Sequence, residues 1–134
     1  MTRIEFYSDR FLPYLPEACQ VNPGAYGFEL ALWLSNALMQ LGIVTSYPIG
    51  EDWGWFIDYG DGDAKFMIGC GCEAGEGEGY LGQPLLWSVF IQQSLSIKQR
   101  LRGQTAPAIA AKLAEVIMAV LKADGIAVQV EKIP

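Results

Sequence analysis

The chain opens on a period of two. In "TRIEFYS" Ile4 and Phe6 fall on one side and Arg3, Glu5 and Tyr7 on the other, as in a half-buried strand. "DRFLPYLPEACQV" follows, and its two prolines rule out regular structure. The apolar spacing then lengthens to three and four. Over "NPGAYGFELALWLSNALMQLG" it predicts a helix with Asn22 as N-cap, Pro23 at the first helical position and Gly42 at the left-handed stop. Leu30, Leu34, Ala37, Leu38 and Leu41 form its inward stripe, and Tyr26, Glu29, Trp33, Asn36 and Gln40 a second.

The middle of the chain returns to short strand patterns. "IVTSYPI" and "WGWFIDY" read as strands joined by "GED", with Gly50 supplying the turn, and "AKFMIGCGC" is entered through "GDGD". "EAGEGEGYLGQP" is a glycine-rich loop. "LLWSVFIQQSL" has bulky residues on both faces, which places it centrally in the sheet. "SIKQRLRGQ" is either a basic connection or a strand extension. A last helix is capped by Thr105, carries Pro107 in its first turn and stops at Gly125. Ile109, Leu113, Val116, Ile117, Val120 and Leu121 form its apolar stripe. "IAVQVEKI" closes the chain as a strand with Ile126, Val128 and Val130 on one face.

The predicted order is β-α-β-β-β-β-α-β. Four strands running together without crossover helices exclude a doubly wound parallel sheet. A closed barrel would leave both helices without a surface to bury. The expectation is an α+β two-layer sandwich, residues 1–134 forming one domain, with two helices on one face of a mostly antiparallel sheet.

Composition agrees with a core-forming chain: hydrophobic residues make up 51%, ample to offset chain entropy without a disulfide or metal staple. Three cysteines, an odd number, fit a reducing compartment. No apolar run is long enough to span a bilayer, and "MTRIEFYSDR" lacks a leader's apolar stretch. The expectation is a cytoplasmic protein, bacterial in style, without a membrane partner. Charge is uneven. Residues 51–84 carry eight acids and one lysine, or −7, whereas residues 85–134 carry six cations and three acids, or +3. The acidic third repels phosphate backbones, so nucleic acid is not expected, and its field would attract a basic protein.

There is no histidine. That removes the commonest general base, the Ser-His and Cys-His nucleophile pairs, and the commonest metal ligand. Cys70 and Cys72 would project to one side of a strand, where a redox pair or a soft metal would be conceivable. A closed zinc site needs four ligands, and the remaining thiol, Cys19, is distant, so structural cysteines are expected. Neither "DYGDGDAK" nor "CEAGEGEGY" has the ligand spacing of a calcium loop, and no lysine follows the glycines as a phosphate loop requires. No cofactor and no metal ion are expected.

The candidate binding residues are Glu29, Trp33, Glu51, Asp52, Trp53 and Trp55. Trp53 and Trp55, two apart, would share one strand face with Ile57 and Tyr59. Under the helices that row is core; facing outward and framed by Glu51 and Asp52, it is a partner-binding patch. The helices' need for a bulky sheet face favours core. Glu29 beside Trp33 would have its pKa raised if buried, as in a general acid, or would serve the helix dipole and a backbone N–H. The leading expectation is a non-enzymatic binding domain, in sharper form an acidic inhibitor or immunity-type protein for a basic partner. The alternative is a carboxylate-dependent enzyme or small-ligand binder using Glu29, Glu51 and Asp52 near Trp33 and Trp53. A homo-oligomer paired through a sheet edge is a third reading.

Overall fold

The computed structural model describes residues 1–132. Its six strands are β1 (Thr2–Ser8), β2 (Ile49–Glu51), β3 (Gly54–Asp61), β4 (Ala64–Glu73), β5 (Leu85–Ser94) and β6 (Gln129–Lys132). The helices are α1 (Phe28–Gln40), α2 (Ile97–Leu101) and α3 (Pro107–Ala123), with short 3-10 turns at Glu17–Cys19 and Glu78–Tyr80. Every pair of neighbours is antiparallel in one sheet of order β2-β3-β4-β5-β1-β6, so β5 is central, as its two bulky faces require. The architecture is α+β.

The register puts Ile4 opposite Val89, Phe6 opposite Trp87, Ile68 opposite Ile91 and Ile57 opposite Ile68. These side chains share one face and are buried, together with Leu30, Leu34 and Leu38 of α1 and Leu113, Ile117 and Leu121 of α3. Both long helices therefore bury their stripes on the same side of the sheet. No helix of the described residues is long and apolar enough to cross a membrane.

Five local expectations are corrected. Helix α1 starts at Phe28, with Gly27 and not Asn22 as N-cap. Asn22 instead turns the chain: its carbonyl accepts from the Ala25 N–H, and its Nδ2 donates to the Asp52 carbonyl. The cause is Gly24 and Gly27, both at positive φ. A Cβ at Gly27 would lie 2.2 Å from the Cys70 carbonyl oxygen, so the chain passes against β4 before it can coil. The β2–β3 turn is formed by Asp52 and Trp53, between the paired Glu51 and Gly54, and Gly50 lies within β2. Residues 43–48 are not a strand; Pro48 precedes β2, and only Ser46 reaches β3, through its bonds with the Asp58 main chain. Thr105 does not cap α3; Ala106 holds that place, and Pro107 is the first helical residue. "SIKQRLRGQ" is neither a loop nor a strand but α2, begun by a reciprocal capping box between Ser96 and Gln99.

Both helix ends match expectation. Gly42 and Gly125 adopt positive φ, and the amides that follow, of Ile43 and Ile126, donate to Leu38 and Leu121 in Schellman closures. The closing strand covers Gln129–Lys132 of "IAVQVEKI"; Ile133 lies outside the described residues.

The two glycine roles predict different costs. Gly42→Ala meets no atom within 4 Å, so only left-handed strain applies, about 1–2 kcal/mol. Gly27→Ala adds a collision with fixed backbone and should destabilise by more than that range, read as the difference in urea midpoint between the two variants.

Candidate functional site

With both helices on one side, the other face of the sheet is bare. Its occupants follow from the register: Ile49 opposite Phe56, Phe56 opposite Gly69, Gly69 opposite Phe90, and Phe90 opposite Arg3. One step along, Gly71 faces Ser88, which faces Glu5, and beyond them Glu73 faces Leu86. Glycine at 69 and 71 leaves a furrow along this side of β4. Two aromatic rings fill it. A Cβ at Gly69 would lie 2.2 Å from Phe90, whose ring therefore lies directly over the glycine. Gly71 lies beneath Trp53, its would-be Cβ 3.8 Å from the indole Cε3. The two rings meet at a centroid distance of 4.9 Å. Trp53 remains 39% exposed, and beside it a hollow of about 270 Å³ is walled by Arg3, Glu5, Glu73 and Leu86.

The structure divides the six residues singled out by sequence. Glu51, Asp52 and Trp53 lie together at the β2–β3 turn, on the rim of the bare face. Glu29, Trp33 and Trp55 belong to the helix side. Trp55 donates its Nε1–H to Gln20 Oε1 at 2.9 Å and packs on Phe28. Trp33 rests on Phe11, with the Arg10 guanidinium 6.0 Å above its ring and Arg10 in turn ion-paired with Asp124. The expectation that Trp53 and Trp55 share a face is corrected: Trp53 is in the turn and lies over the bare side, whereas Trp55, Ile57 and Tyr59 join the core.

Glu29 is the second residue of α1 and only 7% exposed. Its Oε2 accepts from the Leu15 N–H at 3.0 Å, and its Oε1 has no partner. Desolvation pushes its pKa up, tempered by main-chain N–H groups, that of Leu15 first. Glu29 ties down the irregular segment ahead of α1 through the Leu15 main chain. The hollow beside Trp53 is lined by none of Glu29, Glu51 and Asp52.

Three groups escaped sequence reasoning. Phe90, Gly69 and Gly71 form the furrow, and their signal was present: glycine alternates with cysteine in β4, opposite alternate residues of β5. Second, Glu17 joins two loops by accepting from the Gly24 and Gly77 N–H groups, at 2.9 and 3.4 Å. Desolvation pushes its pKa up, but hydrogen bonds from Tyr26, Gly24, Gly77 and Tyr80 outweigh it, and the net shift is down. Burial, with Glu17 adjoining, pushes Tyr26 up to about 12. Tyr80 completes the joint by donating to the Leu15 carbonyl at 2.6 Å.

Third is the basic groove at α2, taken up below. Cys70 and Cys72 both project inward, as their spacing requires. Burial raises both thiols well above their ordinary value, Cys72 to about 12, which favours the protonated form of each. Among the described residues no group of three or more His, Cys, Asp or Glu is placed to hold a metal ion. No protein-family model matches the chain, nor does any curated protein or solved structure.

Two measurements check this assignment. Because the folded pKa of Glu29 is raised, the folded state binds its proton more tightly than the unfolded chain. Its contribution to stability is complete below the ordinary carboxyl value of 4.5 and is lost as pH rises through the folded pKa. Glu29→Gln keeps an acceptor for Leu15 and should remove that decline, leaving the variant the more stable at neutral pH by thermal melts across a pH series. Maleimide should modify the exposed Cys19 in the native protein and spare Cys70 until unfolding, as mass spectrometry of peptides will show.

Proposed function

We propose that the chain is a non-enzymatic binding protein of the inhibitor or immunity type, and that its bare sheet face docks a basic protein. The observation that carries this reading is the Trp53–Phe90 pair, held half-open over Gly69 and Gly71 on a sheet face that no helix covers. Rigid aromatic rings central to a patch are what interface hot spots are made of, since they bury large area for little lost rotamer freedom. Glu5 and Glu73, with Arg3, line the hollow beside them, and Glu51 and Asp52 precede Trp53 at the turn, in a quarter of the chain whose net charge is −7. Such a field speeds encounter with a cationic surface and disfavours acidic competitors. Three free cysteines fit a reducing cytoplasm, the usual place of a bacterial protein that neutralises a partner made in the same cell.

The alternative, a carboxylate-dependent enzyme or small-ligand binder using Glu29, Glu51 and Asp52 near Trp33 and Trp53, has no observation in its favour: Glu29 is engaged with the Leu15 main chain, and Glu51 and Asp52 lie at the β2–β3 turn. A homo-oligomer paired through a sheet edge is the less favoured reading, because among the described residues the edge strands β2 and β6 are three and four residues long.

The test is affinity purification from cells that make the protein, followed by kinetics on the captured partner. A basic protein should be recovered whose activity falls on binding and whose association rate drops steeply with added salt. Trp53→Ala should weaken the complex by about 2 kcal/mol, roughly 30-fold, with the fold retained by circular dichroism at the assay temperature. A partner that binds at the same rate at low and high salt, and equally to Trp53→Ala, overturns the reading.

A further inference from the structure

The second feature of the surface has the opposite charge. Fifteen carboxylates are available to nine lysines and arginines. Arg3 pairs with Glu131, Arg10 with Asp124 and Lys112 with Glu115. Among the described residues Lys65, Lys98, Arg100, Arg102 and Lys122 pair with none. Three of these, Lys65, Lys98 and Arg102, line one groove of about 760 Å³, within the usual size of ligand sites, roughly 300–1,000 Å³. Its single acid is Asp63. In a chain with a surplus of carboxylates, unneutralised cations gathered in one concave place repel each other for no structural gain.

The walls are firmly built. Helix α2 has five residues, none buried, so neither propensity nor burial accounts for it. Hydrogen bonds do. The capping box of Ser96 and Gln99 starts the helix, and Gln99 Nε2 donates to the Asp63 carbonyl at 2.9 Å, fastening it to the β3–β4 turn. At the far end the Ala106 N–H donates to Gln93 Oε1 at 2.8 Å. This frame sets Lys98 and Arg102, one turn apart on α2, across from Lys65 on β4.

We propose that the groove binds a phosphate-bearing ligand, with Lys65, Lys98 and Arg102 neutralising its oxygens. A lone carboxylate would leave two of the three cations unanswered, whereas a phosphate monoester brings a charge of about −1.5 to −2 and three acceptor oxygens. Arginine matches it as a two-toothed fork and lysine as a point charge. Thr105 and Gln104, which also line the groove, add neutral polar groups. The same chemistry is offered by a soluble phosphate compound or by a lipid headgroup. On the outer side of α2, Ile97 and Leu101 are 80% and 83% exposed, where a bilayer would meet them. The groove lies at the far end of the sheet from the Trp53 hollow: Lys65 stands at the entry of β4, Glu73 at its exit.

The experiment titrates isotope-labelled protein with sodium pyrophosphate and follows amide shifts, against sodium chloride and citrate at equal ionic strength. Saturable shifts confined to residues 62–65 and 93–106 are expected with pyrophosphate alone. Lys98→Gln with Arg102→Gln, and separately Lys65→Gln on the opposite wall, should each weaken binding at least roughly 10-fold with unchanged melting temperature. Shifts equal to those of chloride, citrate binding as tight as pyrophosphate, or binding undiminished in these variants overturns the proposal. Sedimentation with phosphatidylcholine vesicles containing phosphatidylglycerol, lost in Ile97→Ser with Leu101→Ser while the pyrophosphate shifts persist, assigns the phosphate to a headgroup. Pyrophosphate binding without sedimentation assigns it to a soluble ligand.

Discussion

The fold turns on a place where backbone meets backbone. The Cys70 carbonyl of β4 is approached by Gly27, just before α1, and by Gly54, at the start of β3; a Cβ on either would lie 2.2 or 2.6 Å from its oxygen. No side chain larger than hydrogen fits there. The contact fixes how close α1 lies to β4 and where its stripe of Leu30, Leu34 and Leu38 meets the sheet. It also fixes the β2–β3 turn, because Gly54 can leave the turn only along this line. Trp53, one residue earlier, is then carried to the opposite side of the sheet, over Gly71. The hidden face and the exposed aromatic pair are two results of one close approach.

That constraint explains which parts of the chain can be read from sequence. Strands β1, β4 and β5 announce themselves because their alternation is set by which side is buried, and a register slip would invert every side chain. The Schellman ends at Gly42 and Gly125 are equally local. The start of α1 is different. Asn22 and Pro23 carry every local mark of a helix start, yet Gly27 answers to Cys70 of β4 and Gly24 to Ala74 just beyond it, some forty to fifty residues away in sequence, and tertiary contact overrides capping preference. The tryptophan pair shows how a small displacement propagates. With the turn at Gly50, Trp53 would be a strand residue and share a face with Trp55. With the turn at Asp52 and Trp53 they part company. The joint of Glu17 with Gly77 spans 60 residues, and no local pattern encodes it. The α2 capping box, by contrast, was there to be seen in Ser96 and Gln99.

Burial on one side only also gives meaning to the glycine–cysteine alternation of β4. Inward, small cysteines leave room for Tyr26 and Trp87 in the core; outward, glycines leave a furrow. A furrow in a bare sheet weakens it, since glycine brings no cross-strand contact. Phe90 and Trp53 restore that contact by lying over the glycines, as aromatic residues do for glycine in sheets generally. This structural role is complete for Phe90. It is incomplete for Trp53, which keeps 39% of its surface in water although the hollow beside it could be closed by a larger neighbour than Ser88. Stabilising the sheet explains why an aromatic ring is present; it does not explain why the ring stays open.

Charge is segregated along the strands as sharply as apolarity is across them. Strand β4 runs from Lys65, beside the α2 groove, to Glu73, beside the Trp53 hollow, eight residues or about 26 Å away. That exceeds two Debye lengths at physiological salt, about 8 Å each, so neither end neutralises the other in solution. Random scatter of fifteen acids and nine cations would favour mutual pairing, and only three such pairs form among the described residues. Unsatisfied charge of both signs, held at separate ends of one sheet, is a cost the fold need not bear for stability, and it is the arrangement on which the two proposed sites, for ligands of opposite charge, both rest.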